Sequence, residues 1–393
     1  MTAPEILFKS LTMLSTLALL VSCAGPQASE ATDLVSNEAP AFVPDPSWPV
    51  LPEGWEWGQV IGINADSRGH IWSSTMETGL LSEWDTEGNL VQSWDAGGPD
   101  GEWRSNHGLF VDHNDYLWTT ARNHAMVNKF TRDGQHVLSI GRFDETGGSN
   151  STELLGGPAD MWVDAETNEV FVADGYDNRR VIVFDAETGQ YLRHWGAYGE
   201  LPVDPPAAEA DLEEGEGGDA TALVPEAPAR QFQTIHSISG SRDGLIYVGD
   251  RDNNRIQVFR RDGEFVTEKI LRPHCGPEEQ AAWVPAEQCG SDAVLAIALS
   301  PDEDQEYVYV ADAGRHMIVV LRRSDMEILD EFGGLGVGPG ELGLPHNLTV
   351  DQQGNIYVSQ AAGPEIPDPS GQGTIRAGFR AQKFALVGTK QIP

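Results

Sequence analysis

Cysteine is scarce in this chain, with three among 393 residues, so disulfides cannot be the framework of the fold. Cations are also in short supply. Twenty-five Lys and Arg face 61 Asp and Glu, a formal net charge of −36. Nucleic-acid partners need clustered basic side chains and are excluded by that balance. Strong acidity suits a soluble, exported protein. Few stretches avoid Gly, Pro and β-branched residues for three helical turns, which leaves little room for helices. What the chain does have is 43 glycines, 11 tryptophans and a 40% hydrophobic content. Those numbers support a substantial core, many tight turns and one large all-β domain.

The N-terminal segment reads separately. Lys9 precedes an apolar run, Leu11 to Val21, too short for a permanent membrane span but suited to a signal-peptide core. Its ending, Leu20-Val21-Ser22-Cys23, resembles a bacterial lipobox; a plain signal peptide with an incidental cysteine is the other reading. The resemblance implies that residues 1–22 are removed and that Cys23 is lipidated. Residues 23–45 would then form a flexible tether holding an exported monomer to a membrane of the cell envelope. Cys275 and Cys289 share a second Pro- and Glu-containing stretch, and in an exported protein they are expected to pair.

One pattern recurs six times: an apolar stretch ending in or near an acid, a turn, then a second apolar strand. Examples are Leu109-Phe-Val-Asp112 before Tyr116-Leu-Trp118, and Leu348-Thr-Val-Asp351 before Asn355-Ile-Tyr-Val358. A third strand follows, as in Asn254-Arg-Ile-Gln-Val-Phe259, and a fourth after a hairpin turn such as Asp133-Gly134 or Asp262-Gly263. A repeat of roughly 45 residues built this way is a four-stranded antiparallel propeller blade. Six blades fill residues 46–393. Insertions interrupt them at about 200–230, which is acidic, and at 273–292, which carries the two cysteines. The acidic insertion reads as a solvated loop, with cation binding or docking as the alternative.

Three of the ten histidines stand out. His107, His236 and His346 share one register, just before the innermost strand of blades two, four and six. Blades one, three and five carry Gly62, Asp160 and Val294, or a near neighbour, there. Alternate blades of six lie about 120° apart around the axis, so the three side chains converge. Converging imidazoles with an open fourth position suit catalytic zinc. The alternative is three channel histidines bonded to water or carboxylates. Tyr176 and Arg251, each after the second strand of its blade, face the same mouth if the blades are regular. They read either as turn residues packed between blades or as a base and a carboxylate-gripping cation. Asp174, Asp250 and Asp312 in the same loops read as turn-forming carboxylates.

These residues resemble the NHL-repeat propellers and, more narrowly, the peptidyl-α-hydroxyglycine α-amidating lyases, from about Trp48 to the last blade. The resemblance implies catalytic zinc on His107, His236 and His346, with Tyr176 and Arg251 catalytic. It also implies a calcium held by Asn347, where the family typically has Asp, and by the carbonyl of Leu109. The implied reaction cleaves the N–C bond of an α-hydroxyglycine-type small molecule or peptide, releasing an amide and glyoxylate. The chain departs from the family in blade one, where the loop Ser73–Gly79 has no arginine. Two other functions compete: a non-catalytic NHL propeller binding protein or glycan at the envelope, and a lactonase-like metal hydrolase. Imidazole ligands favour zinc over the oxygen-ligated calcium of the latter.

Overall fold

The computed structural model describes residues 38–98, 102–205, 230–272, 292–371 and 373–392. Cys23, Cys275 and Cys289, the signal segment, and most of both insertions lie outside them. The described residues form six four-stranded antiparallel sheets. The N-terminal strand is β1 (Glu38–Asp45). Blade one is β2 (Val60–Ala65), β3 (Ile71–Thr75), β4 (Leu80–Trp84) and β5 (Leu90–Asp95). Blade two is β6 (Asn106–Val111), β7 (Leu117–Ala121), β8 (Met126–Phe130) and β9 (His136–Gly141). Blade three is β10 (Pro158–Asp164), β11 (Glu169–Asp174), β12 (Arg180–Asp185) and β13 (Tyr191–Trp195). Blade four is β14 (Ile235–Gly240), β15 (Leu245–Asp250), β16 (Arg255–Arg260) and β17 (Phe265–Ile270). Blade five is β18 (Ala296–Leu299), β19 (Tyr307–Asp312), β20 (Met317–Arg322) and β21 (Glu327–Gly333). Blade six is β22 (Leu344–Val350), β23 (Ile356–Pro367) and β24 (Thr374–Gln391), completed by β1. Each innermost strand packs on the next, and β22 returns to β2.

The strand β1 corrects one expectation. Residues 38–45, read as the end of the tether, pair antiparallel with Lys383–Gln391 and join the first described residues to the last blade. Pro40 and Pro44 are tolerated because β1 is an edge strand.

The recurring acid and aromatic have a shared physical cause. Asp112 Oδ1 accepts the N–H groups of Asn114 and Tyr116, closing the turn, while its Oδ2 accepts Trp118 Nε1–H at 2.8 Å. Asp351 does the same with Gln353, Asn355 and the Tyr357 hydroxyl, and Asp66 with Arg68, His70 and Trp72. The acid thus fixes the turn and anchors the aromatic at the blade centre. Six hydrophobic clusters follow, each drawn from two neighbouring blades, with Trp118 beside Met161 and Val172 as one case. The core therefore lies between blades, leaving the inner strands free to line the axis.

Candidate metal centre

The three alternate-blade histidines meet. His107, His236 and His346 are 2%, 3% and 7% exposed, with ring centroids 4.6–4.8 Å apart. One potential ligand atom from each lies within 4.8 Å of the others.

What turns them inward is a β-bulge at the start of the inner strand. Register shifts fall between Asn106 and Leu109, Ile235 and Ser237, and Pro345 and Asn347, and likewise between Val60 and Gly62 and between Pro158 and Asp160. The odd blades supply backbone instead of side chain. His107 Nδ1–H donates to the Ala159 carbonyl at 2.8 Å, His236 to Leu295 at 2.7 Å, and His346 to Ile61 at 2.9 Å. The residues facing the histidines are therefore Ile61, Ala159 and Leu295, each one position away from Gly62, Asp160 and Val294. Sequence reasoning missed this acceptor role: at Ile61 and Ala159 a bulge moves the register by one residue, and Leu295 stands just before β18.

Two hydroxyls reinforce the carbonyls. Thr120 Oγ1 donates to Ala159 O at 3.1 Å, and Ser359 Oγ donates to Ile61 O at 3.0 Å. With Nδ1 committed as donor, each imidazole presents Nε2 as an acceptor. His236 Nε2 is buried without a hydrogen-bond partner. Burial, and then the neighbouring His346, push His107 well below the ordinary imidazole range; burial and both other histidines do the same to His236. Burial lowers His346 to about 4. Three neutral imidazoles aimed at one point, one of them with an orphaned acceptor, fit a metal ion.

Tyr176 and Arg251 lie beside the histidines, at one mouth of the axis. Tyr176 Oη donates to His107 Nε2 at 2.9 Å. The glycine before it is required: a Cβ on Gly175 would lie 2.0 Å from the carbonyl oxygen of Ile235, the residue preceding His236. Burial raises the Tyr176 phenol, while Arg251 and Arg122 pull it down. Arg251 sits 5.6 Å from the Tyr176 ring centroid and pairs with Asp252 at 2.7 Å and Asp292 at 3.2 Å. Tyr176, Arg251, His236 and His346 line one cavity of about 180 Å³ at the mouth. Arg122 was not singled out from the sequence. Its guanidinium carbon lies 3.5 Å from the Tyr176 ring centroid. The available signal was its place directly after the second strand of blade two, which Arg251 shares in blade four.

Asn347 and Leu109 line a second cavity of about 240 Å³ along the axis. Asp160 is the one ionisable residue among its lining residues, and burial raises its carboxyl to about 7. The loop acids behave as turn residues: Asp174 pairs with Arg180, Asp250 with Arg255, and Asp312 with Arg315 and Arg272. His124 and His316 are likewise structural, bonded to Asp144 and to the Gly343 carbonyl. A second His-and-acid group, Asp66, His70 and Glu83, already holds a cation, because Arg132 pairs with both carboxylates.

Comparison with known proteins agrees with the fold. The NHL repeat matches residues 232–259, a stretch that includes His236 and Arg251. A peptidyl-glycine alpha-amidating monooxygenase of Xenopus laevis is 26% identical over 259 residues, covering 65% of this chain and 25% of the relative. A probable peptidyl-alpha-hydroxyglycine alpha-amidating lyase of Caenorhabditis elegans is 30% identical over 155 residues, 39% of this chain and 36% of the relative. The chain thus spans about a quarter of the length of the amidating monooxygenases it matches. Among solved structures, a streptogramin B lyase shares the fold with a TM-score of 0.50 and 13% identity, over 89% of this chain and 98% of that one. The chain is a six-bladed propeller with an NHL repeat, similar in sequence to the amidating enzymes.

Proposed function

We propose that this NHL-repeat propeller is a zinc-dependent carbon–nitrogen lyase that splits an α-hydroxyglycine-type substrate into an amide and glyoxylate. The observation that carries the reading is the hydrogen bond from Tyr176 Oη to Nε2 of His107, one of three converging imidazoles. It puts a proton-carrying group at the metal position.

His107, His236 and His346 would hold the ion through Nε2, the ion taking the His107 lone pair that now accepts the Tyr176 hydroxyl and freeing that hydroxyl for the substrate; imidazole donors favour zinc over calcium. When bound, zinc would polarise a substrate oxygen and, together with the two arginines, favour the ionised form of Tyr176. Tyr176 Oη takes the proton of the carbinol hydroxyl as the carbon–oxygen double bond forms. The carbon–nitrogen bond breaks, and the same proton passes to the leaving amide nitrogen, so atoms and charge balance. Arg251, held in orientation by Asp252 and Asp292, stabilises negative charge developing on oxygen. A calcium in the axial cavity would take oxygen from Asn347 and the Leu109 carbonyl, with Asp160 the carboxylate lining the same space. We further place the protein at the cell envelope, lipid-anchored through Cys23.

The test is glyoxylate release from N-benzoyl-α-hydroxyglycine by the purified chain, metal-stripped and then reloaded with zinc. Release that depends on zinc supports the reading. No glyoxylate from the fully loaded protein overturns it.

A further inference from the structure

Almost every arginine in this acid-rich chain is matched by a carboxylate or by backbone carbonyls. Arg251 pairs through Nε with Asp252 and Asp292. Arg180, Arg255 and Arg315 each have an acid partner. Arg242 and Arg380 cap backbone carbonyls. Arg122 differs. Its guanidinium makes neither an ion pair nor a hydrogen bond with any described residue, and lies over the face of the Tyr176 ring, 3.5 Å from its centroid. It is partly buried, on the short turn Arg122–His124 that follows β7.

A guanidinium stacked on an aromatic face keeps its in-plane N–H groups free for two parallel bonds to a carboxylate. The ring beneath it belongs to the residue whose hydroxyl reaches His107, so an anion taken by Arg122 sits beside the proton-carrying group. The backbone fixes this position: Arg122 N–H donates to Ser105 O, and Ala125, in the left-handed conformation, closes the turn onto the Arg122 carbonyl.

We infer that Arg122 is the specificity-determining group that binds the carboxylate of the substrate, restricting the site to anionic α-hydroxy amides. This inference rests on the lyase reading for its substrate but not for the anion site itself. It assigns the gripping role to blade two, whereas blade one has no arginine after its second strand. Arg251, whose charge is already matched by two acids, keeps the role of stabilising charge during the reaction.

Two measurements on the zinc-loaded full chain separate this inference from the lyase reading. Calorimetry follows glyoxylate binding to the wild type, Arg122→Gln and Arg122→Lys, with zinc content checked in each. Kinetics compare N-benzoyl-α-hydroxyglycine with its neutral methyl ester. Loss of a charge-assisted pair weakens binding about 10–100-fold. Arg122→Gln is therefore expected to weaken glyoxylate binding by that factor and to lower the acid-to-ester ratio of kcat/KM similarly, with Lys recovering part of both. Glyoxylate bound equally well by wild type and Arg122→Gln overturns the inference, whatever the turnover. Equal losses for acid and ester also overturn it, since a merely structural role would move both. If no α-hydroxyglycine is turned over but glyoxylate binding still depends on Arg122, the anion site stands and the lyase reading falls.

Discussion

The Nδ1–H of His236 donates to the carbonyl of Leu295 at 2.7 Å, joining a side chain of blade four to the backbone of blade five. The same bond links His107 to Ala159 and His346 to Ile61, so each histidine is aimed by the next blade round the ring. Six blades thus divide into three that supply a histidine and three that orient it. One tautomer follows at all three positions, with Nε2 toward the axis.

Thr120 and Ser359 act through those carbonyls. Thr120 Oγ1 also accepts the Gly108 N–H at 2.7 Å, and Ser359 Oγ accepts that of Asn347 at 3.1 Å. Replacing Thr120 with Val or Ser359 with Ala loosens an imidazole without removing it. Metal affinity is expected to fall about 10–100-fold in each variant. Competition with a chromogenic zinc chelator reads this directly; affinity equal to wild type would show that the hydroxyls do not position the ligands.

Tyr176→Phe removes one oxygen and retains the ring on which Arg122 stacks. Turnover is expected to fall about 10²–10⁴-fold, the usual span for loss of a positioned proton-transfer group. Zinc content should stay at the wild-type level. Undiminished kcat in the zinc-replete variant would remove Tyr176 from the chemistry.

How legible this was depended on whether a feature is local. The blades could be read because the turn acid and its aromatic are close in sequence, as Asp112 and Trp118 are, and because they repeat. The histidines could be read because one register recurs in alternate blades. The strand β1 could not, since Glu38 pairs with Gln391 at the far end of the chain and two prolines disguise it. The carbonyl acceptors of Ile61 and Ala159 were hidden by bulges, which carry no residue signature here. Arg122 was hidden because it lies in Arg-Asn-His, where blades three and four carry Asp-Gly-Tyr and Asp-Arg-Asp.

The metal-free protein should lose stability in mild acid. Unfolded imidazoles take up protons near pH 6.5, whereas burial holds His346 neutral to about 4 and keeps His107 and His236 neutral well below their ordinary range. Between those limits the unfolded chain binds more protons, so unfolding becomes easier as pH falls from about 6.5 toward 4. His346 alone accounts for roughly 3 kcal/mol across that window. Urea unfolding of the stripped wild type and of His346→Gln should show a shallower pH slope in the variant. Identical slopes would contradict the assignment.

Asp250 is expected to matter for stability. It is fully buried, pairs with Arg255 at 2.7 Å and accepts the Gln233 N–H at 2.8 Å. Asp250→Ala leaves Arg255 buried without that partner and should cost about 3–5 kcal/mol. Thermal unfolding monitored by tryptophan fluorescence tests this; a loss below about 1 kcal/mol would make the pair dispensable.

The central claim is that three alternate blades hold one metal ion. Its most direct test is the metal content, by mass spectrometry, of the purified chain and of His107→Ala, His236→Ala and His346→Ala. The account requires about one zinc per chain in the wild type and loss of it in every single variant. Wild-type metal content in all three variants would contradict it.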